Sequence, residues 1–126
     1  MRSKSKEVSL SPSEHQIQAA AFQQIRLLRN SDWRYGNVWA NVNGMKFSRG
    51  AIHRAYEEGL EPGVLDITVA VQSRLYPGAY IEVKKGTNLP SDHQVRIAVQ
   101  LMNAGYLVAF CWNTNAIINF LKWYLR

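Results

Sequence analysis

Several things are scarce in this chain. Its 126 residues include one cysteine and four prolines. A single thiol excludes an intramolecular disulfide, so folding does not depend on an oxidising compartment. No apolar run approaches the ~18 residues of a membrane span, and no signal-peptide core is present; an intracellular (cytoplasmic) chain with no membrane partner is expected. The three histidines, His15, His53 and His93, fall at no zinc-binding spacing, and with one cysteine they build no His/Cys cluster. No phosphate-cradling or dinucleotide glycine pattern occurs, which excludes a nucleotide-driven motor. Acidic residues are also few: nine Asp and Glu stand against 15 Lys and Arg, a net charge of +6. That excess favours a polyanionic partner, most simply nucleic acid.

With 47% hydrophobic and 19% charged residues, the chain can build one core without staples, and its length suits one domain. Residues 1–10, with Arg2, Lys4 and Lys6 among serines, read as a flexible basic N-terminal arm; residues 11–126 read as a single domain. Ser11-Pro12-Ser13-Glu14 opens a helix, with Ser11 as N-cap and Glu14 in the capping-box position. Ile17, Ala21, Ile25 and Leu28 then form its apolar stripe, onto which Glu14 also projects. Val38, Ala40 and Val42 alternate with Trp39, Asn41 and Asn43, a strand closed by Asn43-Gly44. Arg49–Glu58 is a short helix stopped by Gly59. Asp66–Val71 and Ala79–Lys84 alternate as two strands around a turn region at Tyr76-Pro77-Gly78. Ser91 and Gln94 cap a helix running to Gly105. Tyr106–Trp112 is a continuous apolar run that predicts a strand covered on both faces, and a last helix follows Asn113. The order is α-β-α-β-β-α-β-α.

Alternation along the paired strands puts Ile67, Val69, Ala79, Ile81 and Val83 on one face. Asp66, Glu82 and Lys84 share the other, where directly opposed Cβ atoms lie roughly 5 Å apart. Two carboxylates at that spacing repel unless a cation or a proton intervenes. A hard divalent ion relieves the repulsion, since Mg²⁺ takes one or two carboxylates plus waters and phosphate oxygens. An ordinary Asp–Glu–Lys ion cluster on an exposed sheet face is the plainer alternative on geometry alone.

Gly63-Val64-Leu65-Asp66, followed after 14 residues by Ile81-Glu82-Val83-Lys84, resembles the PD-(D/E)xK nuclease signature. The wider ordered set resembles the VRR-NUC (virus-type replication-repair nuclease) domain. That set takes in Glu14, Asn43-Gly44, Gly59 through Asp66, Ser91-Asp92-His93-Gln94 and Gly105-Tyr106. The likeness spans about residues 11–112. It implies an α/β fold with a restriction-endonuclease-like core, a small mixed sheet flanked by helices, and metal-dependent cleavage of DNA. On this resemblance Asp66 and Glu82 are metal ligands and catalytic groups. Lys84 positions water or phosphate, Glu14 completes the acidic set, the Val83 carbonyl contributes to the metal, and Gln94 assists. The cofactor is Mg²⁺ or Mn²⁺. The family's proline before the aspartate is Leu65 here, a departure that removes no reacting group.

Lys46, Arg49, Arg54 and Lys85 lie near the acidic residues in chain order; Lys46, Arg49 and Lys85 are candidate phosphate contacts. The last helix carries Ile117, Ile118, Phe120, Leu121, Trp123, Tyr124 and Leu125 around most of its circumference, so it must be covered on more than one side. A larger monomer core or a twofold partner can do this. Stand-alone members of the family are generally dimeric, which implies a homodimer acting on branched DNA such as four-way (Holliday) junctions, and a phage or prophage origin fits the family's habit. A non-hydrolytic nucleic-acid-binding or scaffolding module with the same fold is the alternative.

Overall fold

The computed structural model describes residues 11–41 and 48–126. The N-terminal arm, Lys46 and the Asn43-Gly44 turn lie outside the described residues. Helix α1 (Glu14–Leu28) begins at Ser13 rather than Ser11: Ser13 Oγ accepts from the N–H of Gln16, and the Gln16 side chain returns to the Ser13 N–H. Gln16 thus takes the capping-box place, leaving Glu14 at the first helical position. A short 3₁₀ helix, Trp33–Asn37, then leads into β1 (Val38–Ala40); the sequence pattern did not signal it. Helix α2 (Arg49–Glu57) starts at Ser48 and buries no side chain of its own. Strands β2 (Ile67–Val69) and β3 (Ala79–Val83), helix α3 (Asp92–Asn103), strand β4 (Leu107–Cys111) and helix α4 (Thr114–Tyr124) complete the order.

The four strands form one mixed sheet in the order β1-β2-β3-β4, antiparallel except for the parallel β3–β4 pair. Val69 lies opposite both Val38 and Ala79, and Ile67 opposite both Ala40 and Ile81. One face therefore gathers Val38, Ile67, Val69, Ala79, Ile81, Val83 and Cys111, all buried, beneath Ile17, Ala21, Phe22 and Ile25 of α1 and Ile117, Ile118, Leu121 and Tyr124 of α4. At about 25 cal/mol per Å² of apolar area removed from water, this layer is the chief stabilising contact of the fold. The opposite face carries Trp39, Thr68, Tyr80 and Glu82. Helix α3 covers it at β4 and buries only Ala98. Strand β4, at the sheet's edge, is correspondingly half-buried over Leu107–Phe110 rather than covered on both faces.

The last helix finds much of its cover within the chain. Ile117, Ile118, Leu121, Tyr124 and Leu125 are buried, Phe120 is half-buried against the core, and Trp123 remains partly exposed with the Arg74 guanidinium 4.1 Å above its ring. The turn between β2 and β3 falls on Arg74 and Leu75, two residues before the Pro-Gly pair. Ser73 and Tyr76 exchange main-chain hydrogen bonds across it, and both central residues have positive φ, 50° and 70°. Helix α4 holds this turn. Ser73 Oγ donates to the Tyr124 carbonyl, Arg74 Nε donates to the Trp123 carbonyl at 2.9 Å, and the Tyr124 hydroxyl donates to the Val71 carbonyl at 2.7 Å.

Candidate active site

Continuing the β2–β3 register by one residue sets Asp66 opposite Glu82. The Asp66 N–H donates to Glu82 Oε1 at 3.1 Å, and Asp66 Oδ2 accepts from the Val83 N–H at 2.8 Å. Asp66 lies just before the first residue of β2, where its pairing with β3 ends, so main-chain donors there become available to side chains. Glu82 is buried and Asp66 is half-buried. The pair is therefore no surface ion cluster of the plainer kind.

Gln94 links Glu82, Lys84 and the start of α3. Its Nε2 donates to Glu82 Oε2 at 2.6 Å, while its Oε1 accepts both from the Ser91 N–H at 3.0 Å and from Lys84 Nζ at 3.2 Å. The same side chain closes the α3 capping box and links the Lys84 ammonium to Glu82. Lys84, 9% exposed, is brought to the same face as Glu82 by strand alternation. Asn41 braces the other side. Its Nδ2 donates to the Leu65 carbonyl at 2.6 Å, its Oδ1 accepts from the Thr68 hydroxyl at 2.9 Å, and its N–H donates to the Asp66 carbonyl at 2.8 Å.

Burial pushes Glu82 up to about 8, with the Asp66 charge adding to the effect and the Asp66 N–H and Lys84 opposing it. Burial also raises Asp66, Glu14 contributes by repulsion, and the Val83 N–H pulls the other way. Without a cation this pair favours holding one proton near neutral pH.

An open cleft of about 990 Å³ reaches the pair, lined by Glu14, Asp66, Glu82 and Gln94 together with Arg26, Arg29, Trp39 and Asn41 among others. The structure thus brings Glu14, Asp66, Glu82 and Gln94 to one cleft, with Lys84 and Val83 directly behind. Arg49 and Lys85 are exposed and are not among its lining residues. Arg26, Arg29, Trp39 and Asn41 are lining residues that the sequence reading missed. The signal for the two arginines was their i, i+3 spacing at the end of the first helix. Nothing in the alternation of β1 distinguished Trp39 and Asn41 from ordinary outward-facing residues. His93, read as a histidine at a helix start, donates from Nε2 to the Pro62 carbonyl at 2.7 Å and packs on Gly63.

The donor set is hard oxygen. Among the described residues no three His, Cys, Asp or Glu side chains gather closely enough to make an all-protein metal cage. Two adjacent carboxylates at an open cleft do match the sparse, water-rich coordination that Mg²⁺ and Mn²⁺ accept.

No family model matches the sequence, and no curated protein matches it. Among solved structures, one described as a VRR_NUC domain protein superposes with a TM-score of 0.73, covering 90% of this chain and 88% of that one at 15% sequence identity. With its mixed four-stranded sheet and flanking helices, the chain has the VRR-NUC nuclease fold.

Proposed function

We propose that this chain is a metal-dependent, structure-selective DNA endonuclease that cuts four-way junctions or other branched DNA, with Mg²⁺ or Mn²⁺ as cofactor and two copies acting together. The observation that carries this reading is the buried Asp66–Glu82 pair, joined through Gln94 to the Lys84 ammonium and opening onto a cleft. Burying two carboxyl groups side by side costs stability, so a pair kept in this arrangement points to a function that uses it. Asp66 and Glu82 would hold the ion together with the Val83 carbonyl, and Glu14, which lines the same cleft without joining them in one cage, would act on it through a bound water. When bound, a divalent ion supplies an acidified water and counter-charge for the phosphate.

Every other part of the chemistry falls to the chain's own groups. Gln94 fixes the Glu82 carboxylate through Oε2 and so presents its other side to the cleft. Lys84 Nζ, held in place by Gln94 Oε1, would donate hydrogen bonds that position the attacking water or a phosphate oxygen, without transferring a proton to the water. This is preorganised electrostatic stabilisation in a partly dehydrated site. The net charge of +6 suits a polyanionic substrate. With one Asp66–Glu82 pair per chain, paired cuts at a junction would be a task for two copies.

The test is cleavage of a four-way junction, a flap and a linear duplex in Mg²⁺, Mn²⁺ or EDTA, with sedimentation at micromolar concentration alongside. Metal-dependent, paired cuts in the junction are expected. Cleavage in EDTA would remove the mechanism, binding without any cleavage would favour a non-hydrolytic module, and a strict monomer would remove the dimer.

A further inference from the structure

The cleft is divided by charge along its length. Its three acidic residues, Glu14, Asp66 and Glu82, sit where α1 begins, whereas Arg26 and Arg29 lie at the far end of the same helix. Twelve helical residues separate Glu14 from Arg26, about 18 Å along the axis, or roughly five base steps of a nucleic-acid strand. Arg29 is locked in place: its Nε donates to the Tyr35 carbonyl at 3.0 Å and its guanidinium also donates to the Val38 carbonyl at 2.9 Å. That fixes a positive charge immediately before Trp39. Trp39 is 45% exposed on the edge strand and lines the same cleft. It lies opposite Thr68, two residues along β1 from Asn41, which faces Asp66, an offset of about 7 Å.

We infer that the α1–β1 wall of the cleft binds the substrate strand beside the cut, with Arg26 and Arg29 on its phosphates and Trp39 stacked on an unpaired base within about two nucleotides of the scissile phosphate. This inference rests on the nuclease reading and adds to it a residue that determines specificity. A strand that places one phosphate at Asp66 and Glu82 and continues along the cleft meets the indole face first and the cations beyond it. Arginines beside an exposed aromatic ring are the elements by which single strands are held, because every base presents a face to stack. Base pairs inside an intact duplex are already stacked on their neighbours. Trp39 therefore favours substrates whose strands part near the cut, and this is a physical source of preference for branched DNA over plain duplex.

The experiment uses the full chain. Binding is measured in EDTA, and single-turnover cleavage in Mg²⁺, with a labelled flap and a duplex of equal phosphate count. Trp39→Ala is expected to lower the ratio of flap to duplex affinity on the order of tenfold or more. Trp39→Phe should restore most of that ratio. Trp33→Ala, at an indole 74% exposed outside the cleft, should not move it. Arg26→Gln should weaken both substrates together and reduce the salt slope by about one. A wild-type protein that cuts DNA while Trp39→Ala keeps the full ratio, or while Trp39→Phe loses as much as Trp39→Ala, overturns the inference and leaves the nuclease reading standing. A wild-type protein that neither binds nor cuts any of these DNAs overturns both, and would turn attention to an apolar protein partner for Trp39.

Discussion

Asp66 and Glu82 each secure the other's strand: the main chain of Asp66 donates to the Glu82 carboxylate, and the Asp66 carboxylate accepts from the main chain one residue past Glu82. The two acids thus brace the hairpin as well as line the cleft, and their substitutions should part company. In Asp66→Asn the retained carbonyl oxygen can still accept from the Val83 N–H, and the like-charge repulsion disappears. Cleavage should fall about a thousandfold or more, while calorimetry should show a melting temperature equal to or above wild type. Glu82→Gln should be equally inactive without gaining stability. Both Glu82 oxygens accept hydrogen bonds, so its new amide must confront a donor, at a cost of about 1–3 kcal/mol. Unfolding of Asp66→Asn at room temperature would show that its charge holds the fold.

Stability of the metal-free protein should fall as pH rises. Glu82 is held near 8 in the folded chain against an ordinary value of 4.5. Between those values the folded state keeps a proton that the unfolded state has released, so unfolding free energy declines across the window. Melting scans in EDTA from pH 5 to pH 8 should show the decline, with a drop on the order of 10 °C, and Glu82→Gln should flatten it. Adding Mg²⁺ at pH 8 should raise the wild-type transition and leave that of Asp66→Asn nearly unmoved. A rising profile in EDTA would contradict the assignment.

Lys84→Ala should separate rate from binding. Lys84 Nζ reaches Gln94 Oε1, which keeps the Ser91 N–H as a second donor when the amine is removed. The fold should therefore survive, with single-turnover cleavage reduced about 10²–10³-fold and junction affinity changed only a fewfold. Equal losses in rate and affinity would make the lysine a phosphate grip.

Gln94→Ala removes a cap and a brace together. Loss of the capping box costs about 1 kcal/mol, and a buried Glu82 oxygen left without its donor costs a further 1–3 kcal/mol. Denaturant unfolding should show the sum of the two. A destabilisation confined to the capping share would mean that the contact with Glu82 is incidental.

Gly63→Ala should destabilise through two separable causes. The residue has φ +82°, and an added Cβ would lie 2.1 Å from His93 Cδ2. Unfolding measurements on Gly63→Ala, His93→Ala and the double variant should find the double variant more stable than the sum of the two single changes predicts, because the clash is gone. About 1–2 kcal/mol should remain from the left-handed backbone.

How much could be read in advance depended on whether the determining contacts were local. The capping box of α3, the alternation in β2 and β3, and the meeting of Asp66 with Glu82 follow from spacings of a few residues or from one hairpin, and the fold carries them. Ser13 displaced Ser11 as the α1 cap because Gln16 supplies the reciprocal bond, a choice that two nearby serines leave ambiguous. The turn at Arg74-Leu75 carries no glycine or asparagine signal. Its conformation is held from about 50 residues away by α4, beyond the reach of any local pattern. The wall formed by Arg26, Arg29 and Trp39 likewise exists only because α1 packs beside the edge strand.

Arg74 and Leu75 occupy a region that costs most side chains roughly 1 kcal/mol or more each. Leu75 is wholly exposed, and the turn sits about 25 Å of strand from the carboxylates. A glycine at position 75 would relax that end of the hairpin while leaving the Arg74 clasp in place. The molecule thus holds a reserve of robustness that an engineer could release without disturbing its chemistry.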